Sequence, residues 1–412
     1  MQQNLDEKTS TARFFVPSLT VAFFSTMIIE TITSIFLLDL TATFFGPPNP
    51  VSIATTGQLV TLSSVVSVAF GVLMGVLAVR YEHKRLLLAG VLAVILGTVG
   101  CFLAPNFIFM QIFYSIEGIG SIIVNTMAFV LIGEILVLNK RATATGWVIA
   151  GAPLAGIASS IVVNFFFSGT LGWRSFLLLF ALPISLVALA ASFFGVPTSS
   201  QKIRKKVEKG AYLTSFRQVF LQRSAPSCLV GNLFRYTLIG YVVVYSATFF
   251  RDKFGLLVGN AALFVLGLTS LFAIGSVLGG RLVNRVGRKR QLVVITIIAS
   301  PFLMLVPFVS NLWLAVALTY VFYFLLSLTN SASVNLALEQ APDSQGMMMS
   351  MNSIFVTLGL LVGAAVGGVA LVLAGWTGVI LTFSALCLIA AAIYFFLTKD
   401  PCISQRQTSL FQ

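Results

Sequence analysis

Charge is what this chain of 412 residues has least of. Only 9% of its residues are Asp, Glu, Lys or Arg, against about a quarter in an ordinary globular domain, and that excludes a water-soluble fold. Histidine occurs once, at His83, and one imidazole cannot build a metal centre; it reads as an ordinary loop residue. No metal and no cofactor are expected. The four cysteines, Cys101, Cys228, Cys387 and Cys402, have no paired spacing, and three lie in apolar runs as small buried hydrophobes. A phosphate-cradling Gly-x-x-x-x-Gly-Lys-Ser/Thr loop is missing, which excludes an ATP-driven pump. The apolar runs hold no His/Cys constellation, so the chain does not read as an enzyme. No cleavable signal is expected: the first sixteen residues are polar and of mixed charge, and the run after them is expected to stay as an anchor.

What is abundant is apolar length. Hydrophobic residues make up 58% of the chain and its mean hydropathy is +1.00. A helix needs about 20 apolar residues to cross a bilayer, whereas barrel strands are about 10 residues long and alternate strictly. The runs here are apolar all round and of the longer kind. They predict twelve spans, at 15–39, 54–79, 86–104, 107–137, 143–168, 174–196, 225–249, 258–282, 291–310, 312–338, 346–374 and 377–398. The expected fold is an all-α membrane protein of two six-helix, pseudo-symmetric halves, 1–196 and 224–412, around a central cavity. A basic cytoplasmic linker, 197–223, joins them.

The net charge of +13 would suggest nucleic acid in a soluble protein. Here the cations sit in short loops between apolar runs. With the N-terminus cytoplasmic, 21 Lys and Arg fall on the cytoplasmic side, 3 on the other, and Arg235 lies inside a span. That bias places both termini in the cytoplasm of a multi-pass cell-membrane protein. The bilayer is then the expected partner, together with a small-molecule substrate and protons, with no nucleic acid and a monomeric state.

A repeat organises the chain. Gly75–Arg85 and Gly280–Arg290 share an opening Gly, a Leu two residues on, Arg at the sixth place and a closing Lys-Arg, and they lie 205 residues apart. Gly172-Trp173 and Gly375-Trp376 repeat at a spacing of 203. Parallel repeats of six helices are a transporter architecture. Small residues four apart, Gly71/Gly75, Gly275/Gly279 and Gly359/Gly363/Gly367, suit close helix packing in lipid.

With these features the chain resembles the major facilitator superfamily, over nearly its whole length. The family's Gly-x-Leu-Ala-Asp-Arg-x-Gly-Arg-Lys loop is well kept in the second copy, at Gly280, Leu282, Arg285, Gly287, Arg288 and Lys289, with Asn284 at the Asp position. The first copy, with Gly75, Arg80 and Arg85, has Val79 at the Asp position and Glu82 at the second Gly. By resemblance these loops gate the cytoplasmic ends of the halves. Gly151-Ala-Pro153-Leu-Ala-Gly156 is similar to the span-five hinge motif of drug/proton antiporters, and Gly346–Gly368 to their eleventh helix. Span four has Tyr114-Ser-Ile-Glu117-Gly118 where the family has Arg-x-x-Gln-Gly.

Ionisable groups deep in a span are costly, which makes each a functional candidate. Glu30 lies about 14 Å, Glu117 about 16 Å and Arg235 about 18 Å along their helices from a span end, at 1.5 Å per residue. In the superfamily, spans one, four and seven line the cavity. Arg235 also stands 205 residues after Glu30, at the matching place in the other half. Apolar surroundings raise a carboxyl group's affinity for its proton and a nearby guanidinium lowers it, so Glu30 and Glu117 are the expected proton carriers. Arg235 would tune them or hold an anionic group. Gln111, Tyr114, Asn232, Tyr236 and Asn330 are expected cavity lining, and Gln111/Tyr114/Glu117 and Asn232/Arg235/Tyr236 each share a helix face. Glu134, Asp39 and Glu339 read as groups at helix ends.

Secondary transport follows. Proton-coupled efflux of a small, amphiphilic or drug-like molecule is favoured by the resemblance of spans five and eleven. A proton symporter or uniporter of a sugar, organic acid or other nutrient is the alternative, and a non-transporting sensor a minor one. If the cation bias sets topology, Arg285→Cys in an otherwise cysteine-free chain reacts with an impermeant maleimide in inside-out vesicles. Equal labelling of right-side-out vesicles contradicts the orientation.

Overall fold

Inside a bilayer no water is available to the backbone, so each apolar run must close its own hydrogen bonds as a helix. The computed structural model describes residues 2–136, 138–167, 172–197, 220–221, 224–341 and 345–400, excepting the side chains at 2–13, 75, 76, 79, 138–143, 284, 345–347 and 350. Most of the linker expected at 197–223 lies outside the described residues, as do the side chains of Lys140, Arg141 and Asn284. Among the described residues every regular element is helical.

The spans in chain order are α1 (Phe14–Ile35), α2 (Pro50–Arg80), α3 (His83–Leu103), α4 (Phe107–Ile135), α5 (Ala144–Phe167) and α6 (Trp173–Gly195). They continue with α7 (Ser224–Phe254), α8 (Val258–Val286), α9 (Arg288–Phe308) and α10 (Leu312–Gln340). The last apolar stretch, Met351–Leu397, turns at Ala374 and Gly375. It therefore holds two spans, α11 before the turn and α12 after it, which makes twelve among the described residues. Gly375 sits at φ +62°, a backbone setting open to glycine and strained for a side chain. The Gly-Trp landmark is that turn.

Two compact units divide these helices: residues 1–203 with 247–266, and residues 204–246 with 267–412. In the first unit one core gathers Ile28, Ile32, Leu59, Met110 and Phe176, and another Leu19, Val91, Met127, Leu131 and Val148. In the second, Cys228, Leu229, Leu292, Leu336, Met348 and Tyr394 pack together. Large side chains on the outside of the spans, such as Phe166, Phe194, Phe396 and Leu373, are where lipid chains belong.

Helix starts carry their own chemistry. Asn49 and Ser52 form a reciprocal capping box ahead of α2, with Pro50 in the first turn. The Asn106 carboxamide accepts from Phe109 N at 3.0 Å ahead of α4. Asn311 does the same for Leu314 N at 3.2 Å ahead of α10. Those two caps are 205 residues apart, a third sign of the repeat.

Two spans are broken near their middles. In α1 the chain loosens at Ile29, a helix resumes at Glu30, and Phe36 (φ −99°, ψ 14°) ends it. In α10 the break is at Thr329 (φ −79°, ψ −8°), whose hydroxyl donates to Leu326 O at 2.6 Å. A threonine that bonds back to its own helix competes with the ladder and bends it. Span five, by contrast, runs as helix through Gly151, Pro153 and Gly156, and Gly151 packs against the α1 backbone at Thr20 O.

Small residues set the helix spacing. A Cβ at Gly363 would stand 2.5 Å from Thr237 O, and one at Gly359 2.5 Å from Leu233 O, both on α7. A Cβ at Gly279 would meet Leu328 O on α10 at 2.0 Å. Gly71 is looser, its nearest neighbour being Ile122 at 3.5 Å. Gly363→Val is therefore expected to force α11 off α7 at a cost of about 1–3 kcal/mol and to lower the melting temperature of the purified protein. Gly71→Ala, with ordinary contact distances, is expected to leave it unchanged.

Candidate functional site

The break in α1 presents Glu30. Its neighbours Ile28, Ile29 and Ile32 are buried in the core of the first unit, while Glu30 itself is exposed. Thr33, one turn on, donates to Glu30 O at 3.0 Å, and its hydroxyl lies 3.4 Å from the Tyr114 hydroxyl on α4. Tyr114 and Glu117 follow each other on the buried face of α4, as their spacing predicts. Gln111 is half-buried, and its carbonyl accepts from Ser115 at 2.7 Å.

Glu117 is wedged by glycine. A Cβ at Gly97 on α3 would come 2.5 Å from Glu117 Cβ, and one at Gly118 2.2 Å from Ser63 Oγ on α2. Ser63 Oγ in turn donates to Tyr114 O at 3.3 Å. The Glu117 side chain is 4% exposed, and its Oε1 is buried without a hydrogen-bond partner in the structure. Buried polar atoms in native proteins are nearly always paired. Glu117 is an exception, on a carboxyl group at mid-span.

In the second unit the break in α10 is met by a buried cation. Arg235 is 0% exposed. Its Nε donates to Thr329 Oγ1 at 2.7 Å, and its Nη2 to Leu326 O and Asn330 Oδ1 at 3.3 Å each. Tyr236 donates to the same Asn330 oxygen at 3.3 Å, and its ring centre lies 5.0 Å from the guanidinium carbon. Arg235 Nη1 has no hydrogen-bond partner in the structure. Tyr236 and Asn330 are the half-buried members of this group, so its accessible surface is theirs. Asn330 Nδ2 is spanned by Ser276 Oγ at 3.4 Å, which leaves one amide hydrogen for a solute acceptor. Alongside, Asn232 donates to Asn352 Oδ1 at 2.6 Å and accepts from Tyr394 at 2.5 Å.

The expected lining thus resolves into one cluster in the first unit and two in the second. Tyr114, next to Glu117 on α4, meets Thr33 and Ser63; Arg235, Tyr236 and Asn330 meet Thr329 and Ser276; Asn232 belongs to a separate knot with Asn352 and Tyr394. Thr329, Asn352 and Tyr394 were missed, although a Thr-Asn pair in mid-span and a lone Asn in a Met-rich run are visible signals.

The charged hairpins are built differently in the two units. In the first, Glu82 pairs with Arg85 at 2.9 Å, and Arg80 lies 5.9 Å from the Tyr81 ring centre. His83 is no plain loop residue: it opens α3, with Nε2 2.8 Å from Ala78 O and Nδ1 2.8 Å from Glu134 Oε1. In the second, Gly287 (φ +87°) turns the chain into α9 and Arg288 pairs with Glu339. Gln291, fully buried, donates to Gly279 O and Leu328 O at 3.0 and 2.8 Å. Arg281 and Arg285 are exposed, and Gly280 has only ordinary contact with Ser331. Asp39 is also paired: Arg251, in the same unit, grips both of its oxygens and donates to Ile35 O at 2.8 Å.

A family model for the Major Facilitator Superfamily matches residues 19–344 and 261–408. The chain belongs to that superfamily. The uncharacterized MFS-type transporter YwfA of Bacillus subtilis is 24% identical over 93% of this chain and 91% of its own. Multidrug resistance protein 2 of the same bacterium is 25% identical over 77% of this chain and 80% of its own. Among solved structures, a D-xylose–proton symporter superposes with a TM-score of 0.81 at 13% identity, over 94% of this chain and 98% of that one. Family and fold are those of multi-pass membrane transporters.

Arg235 serves three acceptors that lipid cannot satisfy. Arg235→Ala is expected to take one donor from each, at about 0.5–1.5 kcal/mol per lost hydrogen bond, and to lower the melting temperature. Thr329→Val, which removes one, is expected to lower it less. Equal melting temperatures for wild type and Arg235→Ala would contradict this role.

Proposed function

We propose that this MFS transporter couples proton movement to efflux of a small, amphiphilic molecule by alternating access. Glu30 and Glu117 carry the proton, and Tyr236 and Asn330, held by Arg235, contact the substrate. The observation that supports this reading best is the pairing of two unlike carboxyl groups in one unit. Glu30 is exposed at a helix break, whereas Glu117 is buried with an unpartnered oxygen and lies on α4 beside Tyr114. The Thr33–Tyr114 hydroxyl pair lies between the two chain segments and offers a hydrogen-bonded link. A conformational change that exchanged their surroundings would exchange their proton affinities. Efflux in particular is supported by the likeness to a multidrug resistance protein and by the span-five and span-eleven resemblance. Both termini and the basic hairpins lie on the cytoplasmic side in this reading, with Gly287, Arg288 and the Gly75–Arg85 loop at the gate and Gly151–Gly156 as the span-five hinge.

Nutrient symport is a second reading. It draws on the Arg235–Asn330–Tyr236 cluster, whose amide and hydroxyl groups suit a hydrogen-bonding solute. The test is transport in proteoliposomes with an imposed pH gradient against a panel of amphiphilic cations, sugars and organic acids. Glu30→Gln and Glu117→Gln are each expected to reduce gradient-driven flux at least about tenfold while substrate exchange without a gradient persists. Flux indifferent to the gradient in the wild type overturns proton coupling, and uptake driven with the proton overturns efflux.

A further inference from the structure

The repeat offset that links the two hairpins extends to their ion pairs. Arg288 stands 205 residues after His83, and Glu339 stands 205 after Glu134. Both pairs are formed, each inside its own unit. One position in the repeat thus holds a guanidinium in the second unit and an imidazole in the first. Arginine keeps its charge at any physiological pH, whereas imidazole changes charge between about pH 5 and 8.

The geometry at His83 uses both ring nitrogens. Nε2 faces the Ala78 carbonyl, which the end of α2 leaves without an amide partner in the next turn. Nδ1 faces the Glu134 carboxylate in the last turn of α4. A carbonyl and a carboxylate only accept, and a neutral imidazole has a single N–H. Only imidazolium satisfies both contacts at once. Other charges near the ring come from its own hairpin: Glu82, taken up by Arg85; Arg80, at the Tyr81 ring; and Lys84, whose ammonium lies 5.5 Å from the Phe193 ring centre on α6. Residues 182–195 of α6, which pack on α3, carry no titratable side chain. The side chains of Lys140, Arg141 and residues 2–13 lie outside those described.

We propose that His83, with Ala78 O and Glu134, is a proton-binding site at the basic end of the first unit, separate from the mid-span carboxyl groups. The bound proton ties the start of α3 to the ends of α2 and α4. When it leaves, one of the two contacts is lost and that end loosens, while Arg288 in the second unit keeps its charge at physiological pH. The two hairpins therefore respond unequally to the pH on their side of the membrane.

Because His83 is the only histidine, protein labelled with [15N]histidine and purified without a histidine tag shows a single imidazole in lipid nanodiscs. Spectra are recorded from pH 5 to 8, and both ring nitrogens are expected to carry protons wherever the two contacts are made. Over the same range, backbone hydrogen exchange in residues 80–86 is expected to rise about fivefold relative to residues 285–291, once intrinsic rates are divided out, the scale of a partly exposed pair. The second hairpin serves as the control inside the same molecule. His83→Arg is expected to make the ratio independent of pH, with the folded spectrum retained. A ratio that stays constant in the wild type, or changes equally in His83→Arg, overturns the proposal, as does an imidazole holding one proton throughout.

Discussion

A bilayer offers its proteins no water, and the requirement that each buried polar group find a partner inside the chain governs this structure. It makes the spans helical, and it draws Asn106 and Asn311 to the helix starts, where backbone amides would otherwise be left over. It also accounts for the way Arg235 is spent. A guanidinium with no exposed surface is tolerable because three acceptors at the break in α10 take its hydrogen bonds. The exceptions include the unpaired Glu117 oxygen in the wall of α2, α3 and α4 and the unpaired Nη1 of Arg235.

The repeat shows where the two halves of the chain have been kept alike and where they have parted. Caps recur at 106 and 311, and glutamates at 134 and 339. At the positions of Glu30 and Arg235 the charge has reversed, and at those of His83 and Arg288 a titratable cation faces a permanent one. The divergent positions lie at mid-span and at the hairpins, while the shared ones sit at helix ends.

Most of the architecture could be read in advance because it follows from apolar length and from glycine and tryptophan landmarks that need no tertiary knowledge. Gly375 is an example: its place before Trp376 announced a turn, and its positive φ is that turn. The side-chain clusters were half legible. Tyr114 with Glu117, and Arg235 with Tyr236, could be grouped because they lie on one helix face. Their partners Thr33 and Thr329 come from other helices, and helix-to-helix register is a matter of packing that spacing along one segment does not carry. His83 was read as a plain loop residue for the same reason. Its role depends on Glu134, fifty-one residues away, and on a carbonyl at the end of α2.

The account rests on Glu117 being a group that exchanges its proton rather than a fixed part of the packing. Infrared spectra of the protein in lipid, recorded across the pH range in which a gradient drives transport, report this directly. They should contain a carboxyl C=O band that changes intensity with pH and is missing from Glu117→Gln. A Glu117 band that keeps the same intensity throughout that range would contradict the account.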